Sequence, residues 1–95
     1  MAFWIYILKC SDGRFYVGHT DNLEFRIGQH QSGAYRGYTL HRRPVELVWS
    51  ENFQTRLEAL TIERQLKGWS KAKKTALVAG DWKLISELAR NKMNQ

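Results

Sequence analysis

The amino-acid sequence predicts an α+β fold, with a small three-stranded, mostly antiparallel sheet flanked by helices in the order β-β-α-β-α-α-α. Two observations lead to this prediction. Residues 3–19 hold two runs of β-branched and aromatic residues separated by an Asp-Gly turn, which is typical of a hairpin. In the second half of the chain, capping residues are followed by apolar positions at helical spacing, and glycines separate these segments. This pattern indicates successive helices. A chain of 95 residues is expected to form one domain, spanning residues 1–95.

The three predicted strands follow from residue type and alternation. Residues 3–9 form the first strand and residues 15–19 the second, and they are joined through Asp12-Gly13, where glycine tolerates a positive φ. Pro44 introduces the third strand, residues 45–49, because apolar side chains occupy every second position there. Helices are expected to cover this sheet.

Four helices are predicted from their capping residues. They begin after Thr20–Asn22, Thr55, Ser70 and Asp81, and the first three end near His30 or Gln31, Lys67 and Ala79. A glycine follows each of these three ends, at Gly33, Gly68 and Gly80, as is common after a helix. The fourth helix would bury Trp82, Leu84, Ile85, Leu88 and Ala89.

The chain carries a formal net charge of +6, which favours a polyanionic partner. Nucleic acid is the first expectation and an anionic membrane surface the second. No apolar run reaches the roughly 18 residues of a membrane span, and the N-terminal stretch lacks the basic start of a signal peptide. These features predict a cytoplasmic protein that does not cross a membrane, with the monomer as its default state.

Cys10 is the one cysteine in the sequence, so no internal disulfide is possible. We expect it to be a small apolar filler at the end of a strand, because a nucleophilic cysteine needs a partner that lowers its pKa. The three histidines, His19, His30 and His41, do not form a zinc-type cluster with it.

Basic residues concentrate in residues 25–45, which include a predicted basic loop over residues 32–43, and again in residues 64–80; neither stretch contains an acidic residue. Aromatic residues are interleaved with both. This mixture suits phosphates and unstacked bases, although a solvated helix surface explains the lysines nearly as well. The predicted nucleic-acid-binding residues are Arg36, Arg42, Arg43, Lys67, Lys71 and Lys74.

Three further features suggest chemistry as well as structure. Tyr6 and Tyr16 lie on the two hairpin strands and could approach each other across the ladder, although tyrosine is also an ordinary strand residue. Arg26 and His30 share one face of the first helix, where they could hold phosphate and assist proton transfer or form a solvated surface. Glu63 lies beside an apolar helix stripe, so a metal ion or a basic partner would account for its carboxylate.

Taken in order, these residues resemble the GIY-YIG nuclease family. The first motif appears as Trp4-Ile5-Tyr6, and the second, with its tyrosine ten positions further on, as Tyr16-Val17-Gly18. Arg26, His30 and Glu63 follow in the positions of the family's arginine, its helical partner and its metal-binding glutamate.

The resemblance covers the whole chain, with departures at several positions, two of which bear on the site. Residues 42–48 and 63–70 are similar to the compact, single-domain bacterial branch of the family. Trp4 replaces the usual glycine of the first motif, and His19 follows the second motif where a small residue is expected. We expect His19 either to crowd the cleft or to add a polar contact.

The resemblance implies an endonuclease that hydrolyses phosphodiester bonds of nucleic acid, DNA before RNA, with water as the nucleophile. Tyr6 would act as the general base or position it, and Tyr16 would orient water or a phosphate oxygen. Arg26 would stabilise negative charge on phosphate, and His30 would hydrogen-bond a tyrosine or share proton transfer. Glu63 would bind Mg²⁺ or Mn²⁺ weakly, because a single carboxylate leaves the ion most of its waters.

Two other functions stay open at this point. The same fold could be catalytically idle and only bind nucleic acid, which predicts salt-dependent binding without metal-dependent cleavage. The chain could also be a nuclease subunit that needs a protein partner to reach its substrate, because the predicted catalytic fold uses all 95 residues and leaves none for sequence recognition.

Overall fold

The fold was analysed in a computed structural model that describes residues 3–81. Its elements are β1 (Phe3–Lys9), β2 (Phe15–Thr20), α1 (Leu23–Ser32), β3 (Glu46–Phe53), α2 (Arg56–Lys67) and α3 (Lys71–Ala79). The predicted α+β class is confirmed. The fourth predicted helix, with its apolar face over residues 82–89, lies outside the described residues.

The sheet has the strand order β2-β1-β3, and both pairings are antiparallel. The predicted hairpin is confirmed, with Tyr6 opposite Gly18 in the β1–β2 ladder and Gly13 at φ 85° in the turn. Because β1 is central, β2 and β3 are the two edge strands of the sheet. The site described below is built along β2.

Strand β3 differs from the prediction, because it runs from Glu46 to Phe53 and not from residue 45 to residue 49. Its second half contains the polar residues Ser50, Glu51 and Asn52, which pair with β1 through their backbones. The side chains of this half are half-buried or exposed, so the strand is held there by backbone pairing and shows no apolar alternation. The pairing also shifts register between Ile7 and Leu8 of β1, which breaks the alternation on which the prediction rested.

Helices cover both faces of the sheet. The larger core joins Ile5, Ile7 and Val17 to apolar residues of α2 and α3, among them Ala59 and Leu77. Side chains alternate along a strand, so the neighbouring positions of β1 point to the opposite face.

On that opposite face, Tyr6 and Leu8 pack with Cys10 and Val45, and α1 contributes Leu23. Burial raises the pKa of the Cys10 thiol, which keeps the residue an apolar filler. The sheet therefore separates an α1 layer from an α2–α3 layer.

The predicted caps account for where the helices begin. The side chains of Asn22, Thr55 and Ser70 accept hydrogen bonds from backbone N–H groups in the first turns of α1, α2 and α3. In the described part of the chain, no helix is long and apolar enough to span a membrane.

The predicted basic loop between α1 and β3 is held by its own arginines. Arg42 Nε lies 3.1 Å from Asp12 Oδ2, which anchors the loop to the hairpin turn. Arg43 Nε donates to the Leu40 carbonyl oxygen at 3.0 Å. These contacts bring the loop over the tyrosines of the hairpin.

Candidate active site

The centre of the site is a buried hydrogen bond between β1 and α1. Tyr6 points from the middle of β1 towards α1, and His30 occupies the last turn of that helix; both side chains are fully buried. The Tyr6 hydroxyl lies 2.8 Å from His30 Nε2, although the two residues are 24 positions apart.

Gly18 makes room for the Tyr6 hydroxyl. A Cβ at position 18 would lie 2.5 Å from both Cζ and the hydroxyl oxygen of Tyr6, and 2.9 Å from a ring carbon of Tyr16. Such distances are far shorter than van der Waals contact. The glycine of the second motif is therefore needed for close approach of two side chains.

Tyr16 lies beside Tyr6 on the same face of the hairpin, with ring centroids 6.2 Å apart, as expected from their spacing. Its hydroxyl oxygen lies 2.8 Å from that of Tyr35, and its ring stacks on that of Tyr38 with the ring centroids 6.0 Å apart. Burial, followed by the bond to Tyr35, raises the pKa of Tyr16. Tyr16 is therefore a neutral phenol near pH 7.

Arg26 lies one helical turn before His30, and its guanidinium affects the ionisation of Tyr6. Its Nε donates to Gln29 Oε1 at 3.2 Å, and its guanidinium lies 5.4 Å from the centroid of the Tyr35 ring. Burial raises the pKa of Tyr6 to about 12, while the hydrogen bond and charge of Arg26 lower it in part. Arg26 thus favours the phenolate of Tyr6 over what burial alone would allow.

His30 is neutral in the folded protein. Burial lowers its pKa to about 4, and the positive charge of Arg26 acts in the same direction. A neutral imidazole has one N–H donor and one acceptor nitrogen, so His30 can accept a proton from Tyr6.

Glu63 approaches β2 from the α2–α3 layer. Only 9% of its side chain is exposed, and its Oε2 lies 2.7 Å from His19 Nδ1 and 3.7 Å from Lys67 Nζ. The sequence left two explanations for this carboxylate, a metal ion or a basic partner. The structure shows the basic partners His19 and Lys67. His19, the departure that follows the second motif, makes a polar contact here. The Lys67 amine is more than half exposed, so the Lys67 pair adds little stability.

Glu63 also belongs electrostatically to the tyrosine site. Its negative charge adds to burial in raising the pKa of both Tyr6 and Tyr16, although the carboxylate stands on the other side of the sheet. The tyrosines on one face of the sheet and Glu63 on the other are therefore close to each other at the edge strand β2.

The donor set at Glu63 fits a weakly held hard cation. Both recorded contacts are made by Oε2, and no group of three or more His, Cys, Asp or Glu residues in residues 3–81 could form a metal cage. Mg²⁺ is commonly held by one or two carboxylates together with waters and substrate phosphates. Glu63 would be the protein residue that holds such an ion, which would supply positive charge near the phosphate.

A shallow groove opens beside Tyr16. Its volume is about 190 Å³, and it is lined by Phe15, Tyr16, Val17, Tyr38, Lys67 and Lys74. Lys74 is half-buried, and this burial lowers the pKa of its amine. The groove thus combines aromatic faces with two cations.

The structure brings two of the six predicted nucleic-acid-binding residues, Lys67 and Lys74, into this groove. Arg42 lies behind it, with its guanidinium 4.0 Å from the centroid of the Tyr38 ring. Arg43 is turned towards backbone carbonyls of the loop. Arg36 and Lys71 are exposed and do not line the groove.

Sequence reasoning missed two residues that touch the centre. Tyr35 packs on His30 with ring centroids 4.3 Å apart, and Thr39 Oγ1 lies 2.7 Å from His30 Nδ1. Both belong to the loop, where no periodicity indicates which side chains turn inward. The tyrosine content of the loop was the one available signal.

The sheet carries two tyrosines, an arginine, a histidine and a carboxylate close to β2, and the fold is of the nuclease type. The model of the GIY-YIG catalytic domain matches residues 2–76, and the chain belongs to the GIY-YIG family.

Relatives of similar size support this membership. A UPF0213 protein of Staphylococcus saprophyticus is 45% identical over 76 residues, covering 80% of this chain and 93% of the relative. A UPF0213 protein of Natronomonas pharaonis is 41% identical over 78 residues, covering 82% and 92%. The solution NMR structure of a UPF0213 protein of Bacillus halodurans is similar, with a TM-score of 0.56 and 39% identity, and the match covers 83% of this chain and 84% of that one.

Proposed function

We propose that this chain is a metal-dependent endonuclease that hydrolyses phosphodiester bonds in nucleic acid, with DNA as the first substrate to test. The observation that carries the proposal is the buried hydrogen bond between Tyr6 and His30, with Arg26 beside it. A phenol whose oxygen meets a neutral imidazole and a guanidinium can pass on its proton and take one from water.

Because Tyr6 is fully buried in the free protein, the proposed reaction requires that substrate binding uncovers its hydroxyl. Tyr6 then removes a proton from the attacking water while its own proton passes to His30 Nε2. The water oxygen forms a bond to phosphorus, and the bond from phosphorus to the leaving sugar oxygen breaks. That oxygen takes a proton from solvent. His30 later passes its proton back to Tyr6, and Tyr6 releases one to solvent, which restores the starting state. The pKa of His30, lowered to about 4 in the free protein, opposes the proton transfer from Tyr6, and the negative charge of a bound phosphate would favour the imidazolium; once the product leaves, the imidazolium gives up its proton readily.

Arg26 and Tyr16 support the same step. A guanidinium matches phosphate oxygens, and Arg26 can stabilise the charge that develops on them. Tyr16 stays a neutral hydroxyl and can orient the water or a phosphate oxygen. A cation held by Glu63 would supply positive charge at the leaving oxygen.

The groove beside Tyr16 supports nucleic acid as the substrate. Lys67 and Lys74 can neutralise backbone phosphates, and Tyr38, which is 39% exposed, adds an aromatic side chain to the groove wall. Together with the net charge of +6, this arrangement suits a polyanion with aromatic bases.

A cleavage assay tests the proposal directly. Labelled single-stranded, duplex, flapped and branched DNA, and RNA, would be incubated with Mg²⁺, with Mn²⁺ and with chelator. We expect metal-dependent cutting of at least one substrate, and a loss of about a hundredfold or more in Tyr6→Phe, which keeps the ring but cannot transfer a proton. Equal cutting by Tyr6→Phe would remove Tyr6 from the reaction.

The groove yields a separate prediction about binding. Replacing Lys67 and Lys74 together by glutamine should weaken binding to labelled DNA and reduce the slope of log affinity against log salt by about one to two. Binding titrations at several salt concentrations would measure both the affinity and its salt slope. The exposed Lys9, changed to glutamine, is the control outside both the groove and the predicted binding residues; an equal effect there would place the nucleic acid elsewhere.

A second candidate function rests on the contact between His19 and Glu63. Because His19 Nδ1 already lies 2.7 Å from the carboxylate, the chain could bind nucleic acid on this surface without cutting it. Binding of every tested substrate with no cleavage under any metal condition would favour this function. Recovery of activity on adding a co-purified protein would favour a partner-dependent subunit instead.

A further inference from the structure

Thr39 makes a buried contact on the side of His30 that faces away from Tyr6. Its side chain is fully buried in the loop between α1 and β3, and its Oγ1 lies 2.7 Å from His30 Nδ1. Its backbone carbonyl accepts from Arg42 N–H at 3.0 Å, so the residue is fixed by a turn of the loop. Tyr6, His30 and Thr39 therefore form one continuous chain of hydrogen bonds.

The direction of these bonds follows from which groups carry protons. The pKa of Tyr6 is raised to about 12, so its hydroxyl is protonated near pH 7 and donates. Arg26 has only donors, which leaves His30 Nε2 as the acceptor recorded for that proton. Neutral His30 then carries its one proton on Nδ1, and the acceptor for it is Thr39 Oγ1.

We propose that Thr39 is a positioning residue that holds His30 in the Nδ1–H tautomer, so that Nε2 is free to accept the Tyr6 proton. Without the Thr39 hydroxyl, the Nδ1–H form would leave a buried donor unpaired. The Nε2–H form, which can only donate to Tyr6, would then no longer be disfavoured and would become populated. The inference rests on the proposed function for its effect on cleavage, whereas the tautomer itself does not depend on it.

The other groups around His30 do not fix its tautomer. The rings of Tyr16 and Tyr35 pack against the imidazole with centroids 5.2 and 4.3 Å away, and Arg26 acts through its charge. The hydrogen bonds recorded for the two ring nitrogens go to Tyr6 and Thr39. Removing the Thr39 hydroxyl therefore tests the tautomer of His30 without removing its contact with Tyr6.

The first test reads the tautomer by NMR. Protein labelled with ¹⁵N would give correlations between ring nitrogens and ring protons for the histidines, with His30 assigned by its loss in His30→Gln. We expect Nδ1 to be the protonated nitrogen in the wild type and in Thr39→Ser, and a shift towards Nε2–H in Thr39→Val, which keeps the shape of the side chain. A wild type protonated on Nε2, or a Thr39→Val tautomer equal to that of the wild type, would overturn the inference.

The second test reads cleavage in the same proteins, with thermal melts to confirm that each variant folds. Thr39→Val should lower kcat about tenfold to a hundredfold with little change in KM, and Thr39→Ser should stay within about threefold of wild type. Full cleavage by Thr39→Val would refute the positioning role and leave the nuclease proposal intact. If the wild type cuts no substrate, the nuclease proposal fails and the NMR result alone decides on Thr39.

Discussion

Changing Glu63 to glutamine should lower the cleavage rate about a hundredfold to a thousandfold while DNA binding changes only about twofold to threefold. Glutamine keeps the size of the side chain and one oxygen for the contacts on α2, but it removes the negative charge that would hold the cation. Since Mg²⁺ binds through charged oxygens, raising its concentration should restore little activity. Rates under single-turnover conditions and binding titrations with chelator would separate the two effects.

Glu58 offers a matched control on the same helix. Its carboxylate lies at the exposed start of α2 and accepts from the Thr55 hydroxyl at 3.1 Å, a contact that glutamine can keep. Glu58→Gln should therefore cleave like the wild type. Normal cleavage by Glu63→Gln would show that this carboxylate holds no catalytic cation, whereas an equal loss in both variants would point to an effect on α2 as a whole.

Gly18→Ala should damage both the stability and the activity of the protein. The added Cβ would stand 2.5 Å from the Tyr6 hydroxyl oxygen, so the ring has to move by about 1 Å to reach ordinary contact. We expect a loss of about 1–3 kcal/mol in the free energy of unfolding, seen as a melting temperature lower by roughly 5–20 °C. Because the shift breaks the alignment with His30, cleavage should fall about a hundredfold.

Gly28→Ala is the control for this substitution. Gly28 is exposed within α1, and a Cβ there would meet no atom within 4 Å outside its own helix. Alanine should stabilise the helix by about 0.5–1 kcal/mol and leave cleavage unchanged. If Gly18→Ala melted and cleaved like Gly28→Ala, the close approach of Tyr6 to β2 would not be needed.

Most of the fold could be predicted because it depends on local patterns. The apolar run of β1 gave its bounds correctly, and the caps at Asn22, Thr55 and Ser70 gave the starts of the three described helices. The end of β3 could not be predicted, since its polar half is held by backbone pairing with β1. Such pairing depends on a distant strand and leaves no periodic signal.

The site was predictable where regular elements carry it. The hairpin spacing placed Tyr6 near Tyr16, and the helical spacing placed Arg26 near His30 on one face. The contact between His19 and Glu63 joins residues 44 positions apart, and the Thr39 contact comes from an irregular loop. Both depend on tertiary packing, which the sequence does not display.

The division of the site between two layers has a consequence for how the chain matures. Tyr6, Tyr16 and His30 come together when α1 packs on one face of the sheet, whereas Glu63 arrives only when α2 packs on the other. A nascent chain that has emerged from the ribosome only as far as β3 carries Tyr6, Tyr16 and His30 but not Glu63. If the proposed chemistry holds, the cell is spared an immature enzyme that could damage its nucleic acids, because cutting begins only when folding is complete.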